Sequence, residues 1–147
     1  MANLETAKTI ADYQFGRKAG DILFSDDSEF TTSKSGRIRQ VKEGGERIAT
    51  LKNDGKFTLS FEGAQRLHEA FEPPKLRVRF GDESIPYLED GRNGFAKFVT
   101  DVDDEIRARD EVLVTGPDDE LVTTGRAELS AVEMRDFDSG VAVLVRS

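Results

Sequence analysis

Apolar residues recur along the chain in two rhythms. Leu4, Ala7, Ile10 and Ala11 fall three and four positions apart, the spacing of one helical face, and predict a helix over Leu4–Asp12. Asn3 is placed as its N-cap and Glu5 in its first turn. Gly16 and Gly20 bracket a bend, and Asp21–Phe24 reads as a turn or short helical piece. Three strand candidates follow at Arg37–Lys42, Glu46–Lys52 and Lys56–Ser60. Glu43-Gly44-Gly45 and Asn53-Asp54-Gly55 lie between them and suit hairpin turns, which need residues tolerant of positive φ. An antiparallel meander is expected. A second helix over Phe61–Phe71 is expected to bury Phe61, Ala64, Leu67 and Phe71, and Pro73-Pro74 stops it.

The double proline is the expected domain boundary, giving modules 1–73 and 74–147. Beyond it, Leu76, Val78 and Phe80 alternate with Lys75, Arg77 and Arg79, the pattern of a half-buried strand with three cations on its outer face. A short helix or turn is expected over Asp82–Asp90, then strands at Phe95–Val99, Glu111–Thr115, Leu121–Leu129 and Val141–Arg146. Ser130 and Glu133 have capping-box spacing, which predicts a helix over Ala131–Asp136. The fold class is α+β: an N-terminal meander with flanking helices, then a small β pseudo-barrel with two short helices.

Charge alters how this pattern is read. Charged residues make up 34% of the 147 positions and the net charge is −8. Residues 1–73 carry 11 Lys/Arg and 12 Asp/Glu, a net of −1, while residues 74–147 carry 10 and 17, a net of −7. A general polyanion binder has a basic footprint, so any nucleic-acid contact here must rest on a shaped site. Arg outnumbers Lys by 13 to 8 and Asp is abundant, as expected of a halophilic surface. In high salt, long-range attraction is screened and close contacts must carry recognition.

Few residues suit catalysis. There is no cysteine, which excludes disulfides, thiolate metal sites and cysteine nucleophiles. The one histidine, His68, is expected on the surface of the second helix, because a general base needs a positioned partner. Asp26-Asp27, Asp103-Asp104-Glu105 and Asp118-Asp119-Glu120 fall in expected loops, where adjacent carboxylates point apart into solvent. No phosphate-loop or dinucleotide glycine pattern is present. No apolar run is long enough for a membrane helix, and the first ten residues lack a signal-peptide core. A cytoplasmic location is expected by elimination, with no catalytic residue, metal or cofactor. The row Lys75, Arg77 and Arg79, stepping by about 6.7 Å, matches phosphate spacing, and an ordinary solvated face explains it equally well.

From Leu76 onward the chain resembles the PUA domain. The likeness is carried by Gly91-Arg92-Asn93-Gly94-Phe95-Ala96-Lys97-Phe98-Val99, Asp110-Glu111-Val112-Leu113-Val114, Gly125-Arg126-Ala127 and Gly140-Val141-Ala142-Val143 through Arg146. The resemblance implies a pseudo-barrel whose RNA groove lies at the end of the first helix, the strand after it and the final strand. By position this implicates Gly91, Arg92, Phe95, Ala96, Lys97 and Arg146, with Arg77 and Arg79 added from the cationic row. Many members carry a β-branched or other apolar residue where Gly94 stands, so a looser loop is expected here. Gly125 is expected to let a barrel strand bend, with Arg126 solvated.

The first half is similar to the segment preceding the PUA domain in archaeal tRNA-guanine transglycosylases. Tyr13-Gln14-Phe15-Gly16, Ala19-Gly20-Asp21-Ile22-Leu23-Phe24, Ser35-Gly36-Arg37-Ile38-Arg39 and Phe61-Glu62-Gly63-Ala64-Gln65-Arg66-Leu67 carry this likeness. The catalytic barrel of those enzymes is not represented in these residues. Together the resemblances imply a non-catalytic binder of structured RNA, tRNA foremost, serving a tRNA-modifying enzyme, with no DNA or membrane partner. The competing readings are a protein-interaction subunit with a degenerate RNA site, or a transglycosylase-related enzyme.

Overall fold

A computed structural model describes residues 2–146. The fold is α+β, in two compact units that divide between Ala70 and Phe71. The first unit runs α1 (Ala2–Phe15), α2 (Ala19–Leu23), β1 (Glu29–Thr32), β2 (Ile38–Glu43), β3 (Glu46–Leu51), β4 (Phe57–Leu59) and α3 (Phe61–Ala70). Its sheet is an antiparallel meander in the order β1-β2-β3-β4. The expected strands β2 to β4 are present. β1 was missed, because Phe30 is the only apolar residue of Glu-Phe-Thr-Thr and gives no alternation to read.

The helices depart from expectation at their ends. Asn3 is not an N-cap: it lies inside α1, which extends to Phe15 and buries Ala7, Ala11 and Phe15 at steps of four. Phe61 is not a core residue but is 50% exposed. The buried stripe of α3 is Gly63, Ala64 and Leu67. A Cβ on Gly63 would lie 2.4 Å from the Ile48 carbonyl oxygen. The helix therefore turns its Gly63 side onto β3, and Phe61 sits about 200° around the axis from that side. Phe71 lies beyond the helix and is half-buried. Phe24 and Phe57 meet in the core with ring centroids 5.3 Å apart. The Gln14 amide donates to the Phe57 carbonyl at 2.9 Å and accepts from the Phe57 N–H at 2.7 Å, tying α1 to β4.

The second unit runs β5 (Arg77–Phe80), a 3₁₀ turn (Asp82–Ser84), α4 (Ile85–Glu89), β6 (Gly94–Phe95), a second 3₁₀ turn (Ala96–Phe98), β7 (Val99–Val102), β8 (Glu111–Thr115), β9 (Leu121–Ala127), α5 (Ala131–Asp136) and β10 (Val141–Val145). Its sheet order is β6-β10-β9-β8-β5-β7, with β5 and β8 parallel and the other pairs antiparallel. The edge strands β6 and β7 are consecutive in the chain and joined by three residues. That short link draws the two edges together and curls the sheet into a pseudo-barrel. The single strand expected over Phe95–Val99 is therefore split, because the chain must cross from one edge to the other within it.

Val78, Phe80, Leu88, Val102, Val112, Val114, Met134 and Val143 form the interior of this barrel. At Gly125 a Cβ would fall 2.5 Å from the Leu144 carbonyl oxygen and 2.6 Å from Val143 Cγ1, so β9 and β10 approach closely there. Ser130 and Glu133 form the expected capping box at the start of α5.

Candidate nucleic-acid interface

The segment from α4 to the second 3₁₀ turn presents most of the residues that the sequence singled out. Gly91 follows α4 with φ 85°, a left-handed conformation that closes the helix. Its N–H donates to the Leu88 carbonyl at 3.0 Å, and the Arg92 N–H donates to the Tyr87 carbonyl at 3.0 Å. These two bonds are the paired closure of a Schellman motif, which places the residue after the glycine against the third residue from the helix end. Arg92 accordingly lies over the Tyr87 ring, 5.6 Å from its centroid. The Arg92 side chain is 66% exposed and Tyr87 is 56% exposed. Asp90 is 3.6 Å from the Arg92 guanidinium, an exposed pair that contributes little.

Beyond the turn, Gly94 is buried against the Phe80 ring: a Cβ there would lie 2.4 Å from Phe80 Cζ. The loop is therefore not loosened at Gly94. The aromatic ring of β5 occupies the volume that a β-branched residue would take, and only glycine leaves room for it. Phe95 is exposed and Ala96 is buried, with its N–H donating to the Gly140 carbonyl at 2.9 Å. Lys97 is exposed, its ammonium 5.0 Å from the Phe98 ring centroid, and it enters no ion pair among the described residues. Gly91, Arg92, Phe95 and Lys97 are thus presented along one short stretch of backbone.

The other cations behave differently. Lys75 lies outside β5, with its ammonium over the Phe71 ring at 5.2 Å, so the expected row of three does not form. Arg77 does not face solvent: it is 3% exposed, with Nε 3.1 Å from Asp119 Oδ1 and Nη2 3.2 Å from Asp119 Oδ2. Alternation misread it because β5 pairs on both sides, with β7 and β8, and the Asp119 loop covers its second face. Arg79 is half-buried and 4.0 Å from the same carboxylate. Arg146 pairs through both guanidinium nitrogens with Glu111, whose side chain is 3% exposed. Arg126 pairs with Glu128 at 3.2 Å. Arg77 and Arg146 neutralise carboxylates of the barrel, and Arg92 and Lys97 remain as the outward cations of the candidate groove.

Sequence reasoning missed Tyr87. The signal was available: a glycine at the position after a short helix pairs the residue four before it with the residue after it. Among the described residues, no group of three or more His, Cys, Asp or Glu side chains is placed to hold a metal, and no helix is long and apolar enough to cross a membrane.

Comparison with known proteins agrees with this division. Residues 5–74 match the patch-forming domain C2 of tRNA-guanine transglycosylase, and residues 77–147 match the PUA domain. The chain joins a transglycosylase C2 domain to a PUA domain. It is 45% identical over 146 residues to the tRNA-guanine(15) transglycosylase of Methanothermobacter thermautotrophicus, covering 98% of this chain and 22% of that protein. The enzyme of Pyrococcus furiosus is 47% identical over 138 residues, with 93% and 23% covered. The chain thus spans about a fifth of the length of these relatives and resembles their C-terminal region. Two solved structures share the fold. A hypothetical protein from Pyrococcus horikoshii OT3 has a TM-score of 0.77 at 17% identity, covering 99% of this chain and 89% of its own. A conserved PUA domain protein from Thermoplasma acidophilum has a TM-score of 0.67 at 18% identity, with 99% and 87% covered. The PUA groove as carried over by position retains Gly91, Arg92, Phe95, Ala96 and Lys97 at its first helix and following strand, whereas Arg146 is occupied by Glu111.

Proposed function

We propose that this protein is a non-catalytic RNA-binding accessory of tRNA modification, holding tRNA against the PUA-domain face formed by the end of α4, β6 and the turn after it. The carrying observation is identity of 45% across 98% of the chain to the C-terminal region of tRNA-guanine(15) transglycosylases. The site chemistry supports it. A left-handed glycine brings backbone N–H groups near the surface, Arg92 and Lys97 supply cations for phosphate oxygens, and Phe95 offers an exposed ring. The acidic body disfavours indiscriminate polyanion binding, so affinity depends on these few groups.

Its partner is a tRNA-modifying enzyme to which it presents the RNA. Filter binding of the full chain to total tRNA, at low and at multimolar salt, tests the reading. Reversal of both cations, Arg92→Glu with Lys97→Glu, is expected to weaken binding about tenfold or more. A control pair of exposed cations, Lys34→Glu with Arg107→Glu, carries the same charge change and is expected to have a smaller effect. Wild type that binds no tRNA at either salt, or equal losses in both pairs, overturns the reading.

A further inference from the structure

A second site lies on the other side of the Ala96–Lys97 turn. A half-open cavity of about 370 Å³ is bounded there by the 3₁₀ turn, by β7 and by α5 with the residues that follow it. Its volume falls in the range of small-ligand sites, roughly 300–1,000 Å³. The buried lining is apolar: Ala96, Val102 and Met134 are each almost fully withdrawn from solvent. The rim is polar and aromatic. Phe137, which ends α5 in an extended conformation, is 45% exposed beside the cavity.

Three charged residues line the cavity and enter no ion pair among the described residues: Lys97, Asp101 and Asp138. Arg135, the fourth charge, is committed to the wall. Its Nη2 donates to the Val102 carbonyl at 2.8 Å and pairs with Asp104, pinning α5 to the end of β7. Elsewhere in this unit Arg77, Arg126 and Arg146 are matched to carboxylates. Unmatched charges of both signs around an apolar floor and an exposed ring fit a ligand that is itself amphoteric: flat and apolar in one part, anionic in another, and hydroxylated between them.

We infer that this cavity takes one unpaired ribonucleotide, with its base against Phe137 over the Val102–Met134 floor, its hydroxyls toward Asp101 and Asp138, and its phosphate at Lys97. A carboxylate accepts from ribose O–H donors, and the 2′-hydroxyl is the donor that separates RNA from DNA. An aromatic face takes any base, at roughly 1–3 kcal/mol per stacked base, so the site selects ribose and phosphate rather than sequence. The inference extends the RNA face proposed above, sharing Ala96 and Lys97 with it, and rests on that reading for its place in RNA recognition.

Titration of the full chain with adenosine 5′-monophosphate, followed by amide and methyl NMR, tests the cavity separately from tRNA binding. Expected are shifts concentrated at Ala96, Val99, Val102, Met134 and Asp138, saturating in the millimolar range (about 4 kcal/mol of binding). The 2′-deoxy nucleotide should bind several-fold more weakly. Phe137→Ala should abolish the shifts while Phe137→Tyr keeps them, and a partly exposed side chain makes both variants compatible with folding. Shifts scattered over other surfaces, equal binding of the deoxynucleotide, or unchanged binding by Phe137→Ala overturns the inference. Binding of tRNA with no nucleotide response at this cavity overturns the cavity alone. Nucleotide binding here by a chain that binds no tRNA overturns the proposed function and leaves the cavity standing.

Discussion

The guanidinium of Arg92 rests on the ring of Tyr87, 5.6 Å from its centroid, because the Arg92 N–H closes the helix onto the Tyr87 carbonyl. The backbone therefore holds the cation in place before any ligand arrives. Less side-chain freedom is lost on binding, a saving of about 0.5–1.5 kcal/mol for a rotamer-rich side chain. Tyr87→Ala is expected to weaken tRNA binding several-fold at unchanged net charge, and Gly91→Ala to do so while also destabilising the fold by about 1–2 kcal/mol, the cost of a Cβ in the left-handed region. Filter binding with parallel urea denaturation separates the two effects. An unchanged affinity in Tyr87→Ala would mean that Arg92 is not held for binding.

Gly94 and Phe80 share one volume. With its Cβ 2.4 Å from Phe80 Cζ, Gly94→Val is expected to cost about 1–3 kcal/mol by overpacking. Trimming the ring should recover part of that loss, so Phe80→Leu with Gly94→Val should be more stable than the sum of the single changes by about 1 kcal/mol. A double-mutant cycle in urea measures the coupling. Strict additivity would show that the two side chains do not compete.

Arg146 and Glu111 form a pair in which the carboxylate side is almost fully buried. Removing the arginine strands that charge. Breaking a buried pair costs about 3–5 kcal/mol, and the part-exposure of Arg146 lowers the expectation for Arg146→Met to about 2 kcal/mol. Arg92→Met, at an exposed site, should leave the urea midpoint within measurement error. The contrast separates a structural arginine from one held for ligand, which position in the family alone does not do.

In the first unit, Glu43 accepts from Arg66 at 3.2 Å through each carboxylate oxygen and from the Ser25 hydroxyl at 2.8 Å. The Arg66 hydrogen bonds, followed by that of Ser25, hold its carboxyl below the ordinary value of 4.5. A lowered folded-state value means that the ionised form stabilises the fold. That contribution is complete above pH 4.5 and is lost as pH falls through the lowered value. The urea midpoint of the first unit, followed by amide signals of β2 and β3, should therefore fall on acidification below pH 4.5. In Glu43→Gln the fall should be shallower. An identical acid limb in the variant would assign the effect to other carboxylates.

Local chemistry in the sequence determined the elements whose causes are local. Gly-Gly and Asp-Gly turns set the meander, Ser130 and Glu133 capped α5, the Val112–Val114 run made a strand buried on both faces, and Gly91 ended α4. The resemblance in the Gly91–Val99 stretch located the candidate groove, because its glycine and cations lie close together in the chain.

What the sequence did not contain was the identity of distant partners. Period-two alternation put Arg77 on an outer face, and only the parallel pairing of β5 with β8 and the placement of Asp119 buried it. Phe61 has the apolarity of a core residue, yet the close approach of Gly63 to Ile48 turned it outward. Gly94 read as a loosening until the Phe80 ring was found in its place. The cavity at Phe137 joins residues from β7, α5 and the 3₁₀ turn, some forty positions apart. Side-chain type fixes what a residue can bond. Which face is buried and which charge is matched depend on strand order and on contacts closed across long stretches of chain, and those exist only in the folded protein.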